Sequence, residues 1–317
     1  MVSSSLSPLA AALLLLSPNV AATPISNAQN SKYTHPLGIP EVQPQALLFE
    51  GPAPQIHELS IDALSQQNAT EIPAFIPEGL HVATEDEEAE LSRRFIMGAD
   101  NRVLWTDRSY PFSAMGKIEW NTGVFCSGAL IGPRHVATAK HCAPIGQTGV
   151  SLRFRPAFYD GDQFPSAAVT TIYHLPGYSV NDPDANACDI KEDWAIFILD
   201  ARLGDQRGGL GAKVIDQGLI GKNELLHLGY PGDLANGQRP YRQDRITIAN
   251  RFDCDATGGL STDADVAGGQ SGGPIWQNID GTRLQLGVLS AGSATESVFA
   301  GGNNWLNAIS IARRDFP

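Results

Sequence analysis

One stretch restricts this chain more than any other: Gly268-Gly269-Gln270-Ser271-Gly272-Gly273-Pro274. A serine stands among four glycines, and a proline closes the run. Glycine lets the backbone turn tightly and brings amide N–H groups close to whatever the serine meets. Such amides can hold the negative oxygen that develops in acyl transfer. On its own the stretch could also be a plain glycine-rich turn. The histidines decide what it can belong to. They are His35, His57, His81, His135, His141, His174 and His227, and none follows Ser271.

Gly269-Gln270-Ser271-Gly272-Gly273 also satisfies Gly-x-Ser-x-Gly, the elbow of lipases and esterases. That arrangement takes its acid and then its histidine from the chain after the serine. Here no late histidine exists, so the esterase loses its base. An order of acid, histidine, serine finds no matching motif ahead of His141. The order that remains is histidine, aspartate, serine.

The 317 residues suffice for one large domain or two small ones. The first 22 residues read as a signal peptide, with a short apolar run over 9–16 and small residues Val20-Ala21-Ala22 for cleavage. Eight apolar residues are too few for a bilayer, which needs about 20, so no membrane association is expected. The expected destination is outside the cell. Residues 23–94 hold eleven carboxylates against Lys32, Arg93 and Arg94, which accounts for −8 of the net −12. Nothing in this balance resembles the basic footprint of a nucleic-acid binder. Four cysteines in an exported chain suggest two disulfides, and four allow three pairings. Without a Cys-x-x-Cys pair, no metal site is expected.

Residues 23–94 are rich in Pro, Gln, Ala and acids and show no sustained period, apart from a possible short helix over 84–94. Asn68-Ala69-Thr70 is a glycosylation acceptor if exposed during secretion. The dibasic Arg93-Arg94 falls where the composition shifts, so 23–94 reads as a largely irregular propeptide. A processing protease would cut it between Arg94 and Phe95. From Phe95 the texture becomes short apolar runs divided by turn residues. Runs at 114–120, 124–131, 135–139, 150–155, 168–175, 194–199, 225–230, 245–249 and 284–290 read as strands, which predicts an all-β barrel or sandwich. A helix is predicted over 304–313, with Trp305, Leu306, Ile309 and Ala312 on one face.

Within this frame His141 follows the strand-like run 135–139, where an imidazole can face a cleft and act as general base. Cys142 adjoins it, and Cys126 lies on the strand before. His135, His174 and His227 sit inside strand-like runs and read as structural. Asp193 opens the most continuously apolar strand, Trp194-Ala195-Ile196-Phe197-Ile198-Leu199. A carboxylate there could fix the tautomer of a neighbouring histidine and stabilise its charged form.

Three stretches together resemble the chymotrypsin-like serine proteases: Phe125-Cys126-Ser127-Gly128-Ala129-Leu130-Ile131 through His141-Cys142, Asp193-Trp194-Ala195, and Gly269 to Pro274. Ile96-Met97-Gly98-Ala99-Asp100-Asn101-Arg102 and Gly229-Tyr230-Pro231-Gly232-Asp233 further resemble the microbial glutamyl-endopeptidase-like branch. The resemblance covers residues 95–317. It implies two six-stranded antiparallel β-barrels with a C-terminal helix and the site between the barrels. It also implies Ser271 as nucleophile, His141 as base, Asp193 as orienter, and the amides of Gly269 and Ser271 as oxyanion hole. A Cys126–Cys142 disulfide follows from the likeness, leaving Cys188 and Cys254 as the second pair. The implied activity is a secreted serine endopeptidase acting on proteins or peptides as a monomer, without cofactor. The rival expectations are a catalytically idle relative that only binds, and a secreted esterase on another fold.

The chain departs from the pattern at two places. Gln270 precedes the serine where animal trypsins have an aspartate that pairs with the freed N-terminal amine. Leu289 stands where the glutamyl branch has a histidine that reads a glutamate side chain. Asp265, six residues before Ser271, falls where trypsins keep the acid that attracts a basic side chain. Ser290 to Gly292 is expected to pair with the substrate backbone as an added strand.

Overall fold

The computed structural model describes residues 48–84, 100–177, 187–251, 257–293 and 296–317. The expected signal peptide, the helix over 84–94 beyond Thr84, the Arg94–Phe95 bond and Cys254 lie outside them.

The chain enters through β1 (Gln55–Glu58), a short helix α1 (Ile61–Ser65) and β2 (Glu71–Ile72). Ser60 caps α1, its hydroxyl accepting from the Ala63 N–H at 3.1 Å, and Asp62 sits in the positive first turn. After β3 (Val103–Leu104) come six strands: β4 (Met115–Trp120), β5 (Phe125–Leu130), β6 (His135–Thr138), β7 (Leu152–Pro156), β8 (Ala167–His174) and β9 (Ala195–Leu199). They pair antiparallel in the order β8-β7-β4-β5-β6-β9, and a β8–β9 pairing closes the barrel. Its interior is filled by Ile118, Val136, Phe154, Ile172 and Phe197. The alternating burial of β7 and β8 is the period-2 signature of strands with one face inward.

Two short helices, α2 (Ala187–Ile190) and α3 (Gly204–Arg207), flank β9. The second half contains β10 (Gly211–Lys213), β11 (Leu225–Gly229), β12 (Tyr241–Ile246), β13 (Ile248–Arg251), β14 (Leu260–Thr262), β15 (Pro274–Ile279), β16 (Thr282–Gly292) and β17 (Ser297–Ala300). These order as β13-β14-β17-β16-β15-β11-β12-β3, with β10 beside β16. The fold is the expected trypsin-like one, with the first barrel closed and the second sheet curled as a half-barrel. Leu225, Ile246, Ile275, Leu289 and Phe299 fill the curl.

The C-terminal helix α4 (Asn303–Asp315) matches the predicted one and extends it by a residue or two at each end. Trp305, Leu306, Ile309 and Ala312 are buried as expected, but so are Ala308 and Ile311, because the helix is covered on more than one side. One covering comes from residues 48–84. Leu59, Leu64 and Ile72 join Trp194, Trp305 and Ile309 in a third apolar cluster. The sequence reading missed these ordered elements because four-, five- and two-residue pieces carry no period of their own. The strand partners of β1 and β2 lie far along the chain, on β8 and β10.

Candidate active site

His141 sits in a 3-10 turn, Lys140–Cys142, immediately past the end of β6. The Cys126–Cys142 disulfide ties that turn to β5. Cys188 is also disulfide-bonded. Asp193 directly precedes β9 and is wholly buried. Its backbone carbonyl accepts from the Lys140 N–H at 3.2 Å, so the aspartate and the histidine turn are laced together. One carboxylate oxygen accepts from the His141 backbone N–H at 3.0 Å. The other lies 2.7 Å from His141 Nδ1 and accepts from the Ser290 hydroxyl at 2.6 Å.

This arrangement assigns the imidazole tautomer. Nδ1 faces a carboxylate and carries the proton, which leaves a lone pair on Nε2. Nε2 is 2.7 Å from Ser271 Oγ and accepts its hydroxyl proton. The three side chains named from the sequence therefore form one hydrogen-bonded chain. Ser290 is a fourth member, expected only as a substrate-facing backbone position.

The serine is held by contacts from both halves. The Ser127 N–H on β5 donates to the Ser271 carbonyl at 2.8 Å, and the Ser127 hydroxyl donates to the Gly269 carbonyl at 2.9 Å. Gly269 has φ +92° and Gly272 φ +77°. A Cβ on Gly269 would fall 2.2 Å from the Phe125 ring, and one on Gly272 would fall 1.9 Å from Thr138 Oγ1. Only glycine fits the backbone at both positions. Among the described residues, neither the Gly269 N–H nor the Ser271 N–H donates to a protein acceptor. Two amides, the serine's own and that of Gly269 two residues before it, are thus available to an oxygen at the site.

Gln270 is buried and does what the departure from the trypsin pattern left open. Its side-chain carbonyl accepts from Arg102 Nη1 at 3.0 Å and from the Ala267 N–H at 2.9 Å. Its amide nitrogen lies 3.2 Å from His227 Nε2, while His227 Nδ1 donates to the Pro274 carbonyl at 2.9 Å. Burial pushes the His227 pKa down to about 4, with the nearby Arg102 charge adding to it. The ring is therefore neutral and can accept from Gln270. Arg102 also spans both oxygens of Asp233 and pairs with Asp100. Burial opposes the Arg102 charge, but the two carboxylates more than offset it and hold its pKa above the ordinary value. Sequence reasoning missed Arg102 and His227 as parts of the site. For Arg102 the one signal was the resemblance of 96–102 to the glutamyl branch, whereas His227, read as structural, lies outside both resembling stretches.

The expected specificity residues behave unevenly. Leu289 is fully buried in the second-half core. Asp265 is half-buried, and its Oδ2 accepts from the Asn101 N–H at 2.8 Å and from Asn101 Nδ2 at 3.1 Å. That oxygen is engaged in holding residue 101, a role the sequence did not predict. Ala291 and Gly292 pair with β17 on one side.

The class that this fold and site define is the serine endopeptidases, hydrolases of the peptide bond. A family model described as Trypsin matches residues 105–302, well over half the chain, and the chain belongs to the trypsin family. It is 26% identical over 234 residues to a glutamyl endopeptidase of Bacillus licheniformis, covering 72% of this chain and 69% of that one. A shorter match, 31% over 109 residues, is to inactive serine protease 35 of Bos taurus, covering 30% of this chain and 25% of that one. Among solved structures, a Glu endopeptidase in complex with MPD superposes with a TM-score of 0.56 at 23% identity, over 69% of this chain and all of the other. That likeness is one of fold.

Proposed function

We propose that the protein is a secreted serine endopeptidase, made as a proenzyme, which cleaves protein or peptide substrates through an acyl-enzyme. The observation that carries this reading is the unbroken chain from Ser271 Oγ to His141 to Asp193, with both links at 2.7 Å. Ser271 Oγ attacks the scissile carbonyl carbon, and its proton passes to His141 Nε2. The carbonyl oxygen takes the negative charge and is held by the N–H groups of Gly269 and Ser271. Asp193 stabilises the imidazolium and keeps the ring in place, and the Ser290 hydroxyl keeps Asp193 in place. When the C–N bond breaks, His141 returns its proton to the leaving amine. Water then attacks the ester, giving its proton to His141, and the acid product leaves as Ser271 regains its hydrogen.

Residues 1–22 direct export, and cutting after Arg94 starts the protease chain at Phe95. Gln270 bears no charge, so the new amine at Phe95 has no ion-pair partner there. The Arg102 guanidinium occupies the Gln270 side chain instead.

A fluorophosphonate probe tests the reading. The purified protein should be labelled at Ser271 and hydrolyse casein or peptides, and Ser271→Ala should do neither. A folded wild-type protein that resists the probe would be an idle relative. Hydrolysis of short esters without any peptide would revive the esterase.

A further inference from the structure

Residues 48–84 precede the proposed cleavage point, yet they are built into the body of the protease. The segment crosses both halves of the molecule. The Leu48 N–H donates to the Asn121 carbonyl at 2.8 Å, and Arg153 stacks on the Phe49 ring at 4.8 Å. Strand β1 adds a seventh strand to the first barrel by pairing parallel with β8, from Gln55↔Thr171 to Glu58↔His174. Leu64 is fully buried against the α4 cluster. Strand β2 then covers the edge of β10 in the other sheet. Phe75 and Gly209 exchange both backbone hydrogen bonds, at 2.9 and 2.8 Å. At the end of the segment, Ala83 donates to the Tyr110 carbonyl at 2.8 Å and accepts from buried Arg283 at 2.9 Å.

The protease side is shaped to receive it. Gly211 lies in β10, and a Cβ there would fall 2.7 Å from the Ile72 carbonyl oxygen and 2.8 Å from the Ala74 nitrogen. Glycine inside a strand marks a place where another backbone passes closely. Leaving would uncover the apolar cluster around Trp305 and bare the β10 edge, a row of unpaired amides that invites aggregation. It would also strip Arg283 of the Ala83 carbonyl. These contacts fall on Asn121, Arg153 of β7, β8, Trp194, Gly209, β10, α4, Tyr110 and Arg283, none of which supplies a group of the candidate site.

We propose that residues 48–84 are a retained structural strap, an integral part of the active enzyme rather than a discarded leader. Once the chain is cut after Arg94, the strap stays bound as a second, non-covalent polypeptide. This last step rests on the processing reading above, but the strap itself does not. Cutting one peptide bond outside the strap changes none of its contacts. Dissociation would have to expose all of them together.

The test is to secrete the full chain with a C-terminal affinity tag and capture it without reference to activity. Native mass spectrometry should give the sum of a chain starting near Phe95 and a fragment containing 48–84. Denaturing chromatography should then separate the two. After removal of the fragment in denaturant, 95–317 alone should refold poorly or melt at least about 10 °C lower. A synthetic 48–84 peptide should restore the original melting temperature. Leu64→Asp should weaken retention, and the milder Gly211→Ala guards against a variant that merely fails to fold. Finding 48–84 still covalently attached to an active enzyme would overturn the cleavage reading while supporting the strap. A tagged, monodisperse 95–317 chain that carries no strap and melts no lower than the complex would overturn the strap.

Discussion

The Arg102 guanidinium lies 3.0 Å from the side-chain oxygen of Gln270, the residue immediately before the candidate nucleophile. With the two oxygens of Asp233 gripping the same guanidinium, the segment that enters the protease domain is bolted to the loop carrying Gly269 and Ser271. The Gly232 N–H donates to the Gly268 carbonyl at 2.5 Å and completes the clamp. A Cβ at Gly229 would come 2.9 Å from the Gln270 side chain, which explains the glycine at that position of the 229–233 motif.

Arg102→Ala should therefore lower kcat by about a hundredfold or more while KM changes little. Misplacing the proposed oxyanion donors Gly269 and Ser271 would harm the transition state more than the bound substrate. Arg102→Lys should recover only part of the loss, because an ammonium cannot span Asp233 and Gln270 as a planar fork does. Steady-state kinetics on protein shown to be folded by its melting curve would check this. Equal kcat in all three proteins would end the positioning role.

Ser290→Ala removes one of three hydrogen bonds to a buried carboxylate. Hydrogen bonds to charged groups contribute about 1.5–3 kcal/mol, so kcat/KM should fall roughly ten- to a hundredfold. Ser290→Thr, which keeps the hydroxyl, should lose less. The comparison of the two variants on one peptide substrate is the measurement.

Stability should fall on acidification. Burial pushes the pKa of both His135 and His227 down to about 4. Below about pH 6.5 the unfolded chain binds protons that the native chain refuses, so the unfolded state is favoured progressively until about pH 4. Each ring contributes on the order of 3 kcal/mol to that loss if it stays buried throughout. Denaturant midpoints measured from pH 7 down to 4 should decline through this window. His135→Gln should flatten part of the decline, and a level profile in the wild type would contradict the assignment.

The residue preferred before the scissile bond should not be glutamate. Leu289 brings a buried apolar side chain to the position where the resembling branch is expected to have a histidine, and it offers a carboxylate neither charge nor hydrogen bond. Cleavage of a peptide library should show glutamate no more than about tenfold favoured over leucine or glutamine. Asp265→Asn should leave the library profile unchanged, because Asp265 is engaged with Asn101.

What the sequence determined by itself was local. The glycine frame around Ser271, the turn after β6 that carries His141, and the aspartate at the head of β9 are each written in a few neighbouring residues. Their order along the chain restricts the family. The strands were legible as short apolar runs between turn residues, and helix α4 from its apolar positions. Only the tertiary structure decided which distant residues serve those local motifs. Asn101 meets Asp265 across 164 residues and Arg102 meets Gln270 across 168, and neither side shows a pattern that anticipates the other. The strap is the extreme case: its short pieces become strands and a helix only because the edge of β8, the edge of β10 and the flank of α4 already stand in place to receive their hydrogen bonds and apolar side chains.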